Sequence, residues 1–511
     1  MNISMVNETS MQEVIAYVIE LGYQLTEEAF KLLSETPNPL EIIKETIENI
    51  RKKNLDVIFI TDKHIEEILK VDKKSSTIPP PKYIEKEIPK IEERKEKKII
   101  RIEEYKTEID IIKNPGEDLK VVGTIKDFKE YFFNRYQKIK KILSSRPDNF
   151  IPISEIKKIK SNEEASTIAM VYDKRETKKA IVLECEDPSG RIKFVAPRTN
   201  EDVYLKCEKI LIDQVIGLKI KHVNNLFIIQ DVIQPDIPII NKGREEMEFP
   251  ELYVVLISDL HIGNEKFDET AFMNFLKWLK EDDEGKLVKY LIICGDLIDG
   301  VGIYPNQEKE LKYKSIDLQL EKALQLLSNI PNYINVIIIP GNHDPVRKAL
   351  PQPAYPKKYI EKFSEKRNFI FLGNPSEIAL HKRRFLLYHG QSFDDFIQYI
   401  PGLTYSTLKE NIDKLLEVIP LTRHLAPVYG GAALTLPLQE DLLVLETIPD
   451  ILHVGHIHVA GIKKYRGLTI VNSGTFQKQT HYQKGMGLDP TPPSIALLNL
   501  RDLSIEIKFF E

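Results

Sequence analysis

The spacing of apolar and polar positions changes twice along the chain, and each change marks a new region. Over residues 1–70, apolar residues recur every three or four positions, which predicts a small helical N-terminal domain. From 161 to 245, short alternating runs are separated by turn residues, which predicts five strands and an all-β barrel. Over residues 246–511, apolar runs typical of buried strands end in polar loops, which predicts an α/β domain.

The N-terminal helices are predicted from residues that cap helices. Ser10 and Glu13 have capping-box spacing, the second helix follows Thr26, and the third starts at Asn38. Residues 55–60 predict a short strand, and residues 62–70 predict a last helix. This region holds no catalytic cluster, so we interpret it either as a plain structural domain or as a docking module for another chain.

Two segments connect the helical domain to the barrel. Residues 71–120 contain Pro79-Pro80-Pro81 and a run of alternating charges, which predicts a charged, proline-containing linker. Residues 121–160 predict a basic-aromatic helical segment with a helix over 126–143. Its aromatic residues either pack on the next domain, with the lysines toward water, or the helix contacts a phosphate backbone.

The barrel region is typical of a small Greek-key barrel of the OB type. The predicted strands are residues 165–172, 179–184, 192–197, 215–220 and 226–232. OB barrels often bind single strands of nucleic acid, but this one has few aromatic residues for stacking bases. A scaffold and a strand-binding module are therefore both open interpretations.

The composition is that of a globular protein, with 42% hydrophobic and 29% charged residues in 511. We find no apolar run long enough to cross a membrane and no secretory signal, so we expect a cytoplasmic protein without membrane association. The three cysteines have neither metal-site spacing nor a disulfide framework. A net charge of −5 argues against indiscriminate coating of nucleic acid but permits a local binding surface.

Five predicted strands of the last domain lead directly to side chains that can bind metal. These side chains belong to Asp259 and His261, Asp296 and Asp299, Asn342 with His343 and Asp344, His389, and His456 and His458. The carboxyl ends of strands in an α/β sheet converge on one crevice, and alternate residues of an extended segment share a side. The sequence therefore predicts a metal site with imidazole, carboxylate and amide ligands, which suit Mn²⁺, Fe or Zn²⁺.

The order of these motifs resembles that of the calcineurin-like metallophosphoesterases: Asp-x-His, Gly-Asp-x-x-Asp, Gly-Asn-His-Asp, His and Gly-His-x-His. The resemblance implies an α/β phosphoesterase sandwich with two divalent ions, Mn²⁺ first, with Fe, Zn²⁺ or Mg²⁺ as alternatives. One ion would be held by Asp259, His261, Asp296 and His458. Asp296 would bridge to the second, held by Asn342, His389 and His456. His343 would donate a proton to the leaving oxygen and be oriented by Asp344, and Asp299 would support the loop rather than bind metal.

The two residues after Asp299 indicate which kind of phosphoester the site binds. Protein phosphatases of this superfamily have an arginine there, which grips a phosphomonoester dianion, whereas this chain has Gly300 and Val301. The sequence therefore favours a phosphodiester.

The order of domains narrows the resemblance to the small subunit of archaeal family D DNA polymerase. It implies a proofreading 3′→5′ exonuclease for DNA replication, acting on single-stranded or mismatched 3′ ends of DNA. It also implies a heterodimer with a large catalytic subunit. Related eukaryotic subunits have lost metal ligands, but all are present here. The alternatives are a non-catalytic structural subunit, a stand-alone DNA repair nuclease and, third, a phosphomonoesterase.

Overall fold

The computed structural model describes residues 102–116, 119–239, 250–364 and 369–511, together with parts of 14–68. The chain divides into two compact units, residues 1–97 and 98–511. Among the described residues, no helix is both long and apolar enough to span a membrane.

The first unit contains two of the three helices that its capping residues predict, and the start predicted for the other, at Ser10 and Glu13, lies outside the described residues. Helix Glu27–Ser34 follows Thr26, and helix Pro39–Lys52 follows Asn38. Strand Gln24–Leu25, which the pattern did not predict, pairs in parallel with Phe59–Ile60. The other residues of the predicted strand over 55–60 lie outside the described residues, as do residues 1–13 and 71–101.

The second unit begins with strand Ile109–Lys113 and then helix Ile125–Leu143, as predicted for residues 126–143. Thr124 and Asp127 form a capping box at the start of this helix. Tyr131 and Tyr136 are buried. Their burial favours the packing interpretation of this segment over a phosphate-backbone contact.

Arg135 connects this helix to the rest of the second unit. Its Nε donates to Asp441 Oδ2 at 2.7 Å, and Nη2 donates to the Tyr131 hydroxyl at 2.8 Å. Its Nη1 donates to the carbonyl oxygens of Asp213 and Pro427. The side chains of Arg135 and Asp441 are 1% and 0% exposed. A buried guanidinium with all these partners holds three segments of the chain together.

Replacing Asp441 with alanine is expected to destabilise the protein by about 3–5 kcal/mol, because it leaves Arg135 charged and buried without a carboxylate. Glu440→Ala is the matched control, since the Glu440 side chain is 60% exposed, its partner Lys138 keeps a second ion pair with Glu446, and the change should cost about 0–1 kcal/mol. Melting temperatures of the two variants provide the measurement. Equal melting temperatures would contradict the assigned role of Asp441.

The barrel is closed by five strands, which confirms the five predicted for this region. They are Glu164–Glu176, Ala180–Asp187, Gly190–Pro197, Val215–Val223 and Leu226–Ile233. Helices Ile153–Ile156 and Glu201–Glu208 pack against its core. Its assignment to the OB type stays a prediction.

Two six-stranded mixed sheets follow. The first contains, in spatial order, Phe369–Phe371, Asn335–Ile339, Val288–Cys294, Tyr253–Ile257, Ser494–Asn499 and Ile505–Phe509. Its first four strands are parallel. The second contains Gly461–Tyr465, Leu468–Asn472, Ile451–Val454, Arg383–Leu387, Ser376–Leu380 and Ile109–Lys113. Its middle strands over 383–387, 451–454 and 468–472 are parallel.

Alternate residues of each strand enter different cores, so the sheets form a sandwich. In the first sheet, Leu256 faces the core between the sheets, which also contains Phe385 of the second sheet. Val255 faces an outer core covered by helices, and a further core covers the second sheet. This arrangement agrees with the predicted α/β sandwich. The helices are Glu269–Glu281, Ile316–Leu327, Lys357–Ser364, Phe393–Tyr399, Leu408–Leu416, Val418–Thr422 and His481–Met486.

The predicted linker over 71–120 is wrong at its C-terminal end. Residues Ile109–Lys113 pair antiparallel with Ser376–Leu380 at the edge of the second sheet. Ile102 is buried in the core between the sheets, and Lys289 Nζ donates to its carbonyl oxygen at 3.1 Å. The high charge of this stretch suggested a tether, but an edge strand tolerates the same charged residues.

A fragment that starts at Lys98 is expected to keep its stability, because it contains the whole second compact unit. A fragment that starts at Leu119 loses the edge strand and buried Ile102. We expect it to be less stable by at least about 3 kcal/mol. Thermal unfolding of the two fragments and of the full chain tests this. Equal melting temperatures for both fragments would show that residues 98–118 contribute nothing to the sandwich.

Candidate metal centre

Five strands bring the predicted ligands to one edge of the sandwich. Asp259, Asp296 and Asn342 follow strands of the first sheet, whereas His389 and His456 follow strands of the second. The strand predicted before each of them is present. The ligands therefore meet where the carboxyl ends of two sheets adjoin, rather than in the crevice of one sheet.

The backbone is left-handed at five of the seven predicted metal ligands. The φ angles are 53° at Asp259, 50° at His261, 51° at Asp296, 73° at His456 and 54° at His458. Residues with a Cβ rarely adopt this conformation, which is concentrated at functional sites. The expectation that each Asp-x-His or His-x-His pair lies along an extended segment was wrong. The chain turns sharply at each ligand instead.

Asp259, His261 and His458 form the first group of potential ligands. His458 Nε2 lies 3.4 Å from Asp259 Oδ1 and 3.1 Å from His261 Nε2. Asp296 Oδ2 lies 3.7 Å from His261 Nε2. All four residues are buried. The residues expected to hold one ion are therefore close together.

Asp296, Asn342, His389 and His456 form the second group. His389 Nε2 lies 3.0 Å from Asn342 Oδ1 and 3.2 Å from Asp296 Oδ2. His456 Nδ1 also lies 3.0 Å from Asn342 Oδ1. Asp296 Oδ2 therefore faces a histidine of each group.

In the second group, the rings of His389 and His456 each make a hydrogen bond on the side away from Asn342. These bonds determine which ring nitrogens carry hydrogen. Nδ1 of His389 lies 2.9 Å from the carbonyl oxygen of Cys294, and Nε2 of His456 lies 2.9 Å from Asp394 Oδ2. Both partners accept, so these nitrogens donate. In the neutral ring of His456, Nδ1 then carries a lone pair that faces Asn342 Oδ1. Nε2 of His389 offers a lone pair to the same oxygen position only after a cation displaces the proton that its raised pKa retains. A divalent cation would turn this convergence of acceptors into ligation, so the residues fit a metal ion.

The charges in the site also indicate that it suits a metal ion. Burial alone would lower the pKa of His389, but the nearby Asp296 carboxylate outweighs burial and raises it to about 10. Burial would raise the pKa of Asp259, but the hydrogen bond and charge of His458, together with the charge of His389, outweigh burial and lower it to about 2. Two ionised carboxylates in a buried site create a negative potential that favours cations.

Gly341 and Gly455 provide space for these carboxylates. A Cβ atom on Gly341 would overlap Asp296 Oδ1, and one on Gly455 would overlap Asp259 Oδ2. At these two positions, the space is taken by the ligand side chain itself.

Asp299 lies behind the first group, where the sequence predicted it. Its Oδ1 is 3.0 Å from His261 Nδ1, and its Oδ2 accepts from Asn264 at 3.1 Å and from Gln307 at 2.7 Å. A carboxylate with this many donors is fixed in place and orients the imidazole in front of it.

His343 and Asp344 do not form the predicted pair. Nδ1 of His343 lies 2.8 Å from the carbonyl oxygen of Asp299. The Asp344 carboxylate instead accepts from the backbone N–H groups of Gly341 and Ile298, at 2.8 and 3.2 Å. The orientation of His343 by Asp344 was therefore a wrong prediction, since the backbone of Asp299 orients the ring. Asp344 joins the loop of the second group to the loop after Asp296.

Three further residues at the site were not predicted. Tyr405 donates to Asp394 Oδ1 at 2.8 Å, and Asp394 in turn contacts His456. The Gln483 amide lies 2.9 Å from His458 Nδ1. They stand outside the ordered motifs, and only the fold brings them to the ligands. The one local signal was the capping-box spacing of Thr480 and Gln483.

The two groups open into a cavity of about 310 Å³. Besides ligands, its lining includes His343, Tyr304, Tyr405, Tyr482 and Lys348. Among the described residues that line it, Lys348 is the only lysine or arginine. The cavity therefore combines a candidate metal centre with an aromatic wall and one cation at its rim.

An α/β sandwich whose strand ends gather seven potential ligands in two adjoining groups defines a protein with a candidate dinuclear metal centre. The sequence is 35% identical to the DNA polymerase II small subunit of Methanothermobacter thermautotrophicus over 499 residues, which cover 96% of this chain and 98% of that protein. The chain belongs to the family of archaeal DNA polymerase II small subunits. This confirms the resemblance to the small subunit of archaeal family D DNA polymerase.

A family match and further relatives agree with this assignment. Residues 254–460 match the family described as the B subunits of DNA polymerases alpha and epsilon. The DNA polymerase II small subunit of Archaeoglobus fulgidus is 36% identical, covering 83% of this chain and 84% of that protein. The Pyrococcus furiosus relative is 38% identical over 74% of this chain, which spans 62% of that protein.

Among solved structures, an archaeal phosphodiesterase is 14% identical to this chain, with a TM-score of 0.25 over 50% of this chain and 99% of its own.

Proposed function

We propose that the chain is the proofreading subunit of a heterodimeric DNA polymerase. In this proposal it is a metal-dependent 3′→5′ exonuclease that hydrolyses phosphodiesters at single-stranded or mismatched 3′ ends of DNA. The partner is a large catalytic subunit, since the relatives are named small subunits. The cofactors are two divalent ions, with Mn²⁺ first and Fe, Zn²⁺ or Mg²⁺ as alternatives.

The observation that carries the proposal is the convergence of acceptor atoms in the second group. There, a carboxylate, an amide oxygen and two imidazole nitrogens meet within a cavity open to substrate. Asp259, His261, Asp296 and His458 would hold one ion, and Asp296, Asn342, His389 and His456 the other. Such ions, when bound, activate water and stabilise negative charge on a phosphodiester.

The protein's own residues would do the remaining work. His343 lines the cavity, and its Nδ1 bond to Asp299 leaves Nε2 for a proton transfer to the leaving oxygen. Burial lowers the pKa of His343 to about 4, so the ring is neutral in the free protein. The negative charge of a bound phosphodiester would favour protonation of the ring from solvent, and the ring would then pass this proton to the leaving oxygen. Asp299, Asp394 and Gln483 each contact a ring nitrogen of one histidine ligand and so orient its ring.

A diester is favoured over a monoester by what lines the cavity. No arginine is among its described lining residues, and Gly300 and Val301 stand where an arginine would grip a phosphate dianion. One exposed lysine and two metal ions suit the single negative charge of a diester better than the double charge of a monoester.

The test is digestion of a 5′-labelled DNA primer by the purified full-length chain with Mn²⁺, Mg²⁺, Zn²⁺ or Fe²⁺. We expect stepwise shortening from the 3′ end, faster at a mismatch than at a paired end. A chromogenic phosphomonoester serves as the control substrate and should be cleaved poorly. A metal-loaded chain that cleaves no DNA, alone or with its large subunit, would favour the non-catalytic structural subunit.

A further inference from the structure

Three rings form a row that leads from the candidate metal centre to solvent. The ring centroids of His343 and Tyr304 lie 6.3 Å apart. Those of Tyr304 and Tyr482 lie 5.4 Å apart, with planes inclined by 25°, so this pair is stacked. Tyr482 is 51% exposed, and all three residues line the cavity. The outer ring therefore has one side covered by Tyr304 and half of its surface open to solvent.

The row is held by contacts that also hold the metal site. The Tyr304 hydroxyl donates to Glu310 Oε2 at 2.8 Å. Tyr482 belongs to helix His481–Met486, and its neighbour Gln483 caps that helix and contacts His458. The position of the Tyr482 ring is thus fixed relative to a predicted metal ligand, as a substrate-positioning side chain requires.

We propose that Tyr482, backed by Tyr304, stacks on the terminal base of the strand whose phosphodiester is hydrolysed. This inference rests on the proposed nuclease function and names the part of the substrate that the site recognises. Every nucleobase has a flat π face, so an aromatic platform binds bases without regard to sequence. Lys348, exposed at the rim, supplies a positive charge for the adjoining backbone phosphate.

The platform explains how the site selects unpaired ends. A paired terminal base is already stacked on its neighbour and bonded across the duplex, so it reaches Tyr482 only after both contacts break. A mismatched or single-stranded base has lost its pairing and needs less energy to move. A purely structural role for the tyrosine pair predicts no difference between substrates with and without a terminal base.

The experiment uses the full-length chain with Mn²⁺ and two 5′-labelled single strands. One ends in an ordinary 3′ nucleotide, and the other ends in a base-free tetrahydrofuran residue. In the Tyr482→Ala variant, we expect KM for the ordinary end to rise about 5- to 100-fold. KM for the base-free end should change by less than about twofold, because no stacking is lost there. Tyr482→Phe is the matched control, since it keeps the aromatic face and should resemble the wild type.

Three measurements separate failure of this inference from failure of the proposed function. Equal effects of Tyr482→Ala on both ends, or no effect on either, would overturn the stacking role while the nuclease function stands. Loss of a metal equivalent in Tyr482→Ala would also overturn it, since the ring would then support His458 rather than substrate. If the wild type hydrolyses neither end, the nuclease function fails. In that case, fluorescence anisotropy in EDTA tests the stacking role separately. The wild type should bind the ordinary end more tightly than the base-free end, and Tyr482→Ala should lose that preference.

Discussion

Asp296→Asn is expected to lower the rate of metal-dependent phosphodiester hydrolysis by at least about a thousandfold. The Asp296 carboxylate faces both groups of ligands, with Oδ2 3.2 Å from His389 Nε2 and 3.7 Å from His261 Nε2. Asparagine keeps the size of the side chain and an acceptor for the backbone N–H of His343, but removes the negative charge. The fold should therefore survive while both metal positions lose an anionic ligand.

Initial rates on a labelled primer, together with metal content by elemental analysis, provide the measurement. Asp283→Asn is the matched control, because the side chain of Asp283 is fully exposed and pairs only with Lys286 among the ion pairs of the described residues. It should leave both the rate and the metal content unchanged. Near-wild-type cleavage by Asp296→Asn with unchanged metal content would remove Asp296 from the site.

His343→Ala is expected to reduce the rate about 10²–10⁴-fold while both metal equivalents remain bound. The ring lines the cavity and is oriented through Nδ1 by the carbonyl oxygen of Asp299, so its proposed task is proton transfer rather than ligation. A variant that loses catalysis but keeps metal distinguishes this role from that of the neighbouring Asn342.

Elemental analysis and initial rates of the His343 variant should be compared with those of His222→Ala. His222 lies in the barrel, and its Nδ1 also contacts a carbonyl oxygen, that of Ile159, at 2.9 Å. Its loss removes an equivalent hydrogen bond far along the chain from the metal ligands. Loss of one metal equivalent in His343→Ala alone would make His343 a ligand and overturn its assigned role.

The ligand set could be predicted from the sequence because each ligand directly follows a buried strand. Local apolar runs identified the strands before Asp259, Asp296, Asn342, His389 and His456, and all five strands are present. The convergence of the carboxyl ends of strands then places these residues together without further information. The barrel strands were predictable for the same reason, since short alternating runs between turns are a local signal.

The remaining features depend on partners that are distant in sequence. Asp394 is an ordinary helical aspartate until the fold places it 2.9 Å from His456. The family resemblance implied that Asp344 orients His343, but its carboxylate turns toward the backbone of Gly341 and Ile298. Left-handed backbone at the ligands was also not predictable, because only the closed site requires that conformation there.

The edge strand Ile109–Lys113 has a consequence for self-association. It carries Asp110 and Lys113 and is mostly exposed, and charged side chains at a sheet edge discourage pairing with foreign chains. The strand that it covers, Ser376–Leu380, is buried along its whole length. Without residues 109–113, these unpaired backbone groups and apolar side chains would form the new edge. A chain shortened to Leu119 should therefore form oligomers by adding strands from other copies, even where its catalytic chemistry is intact.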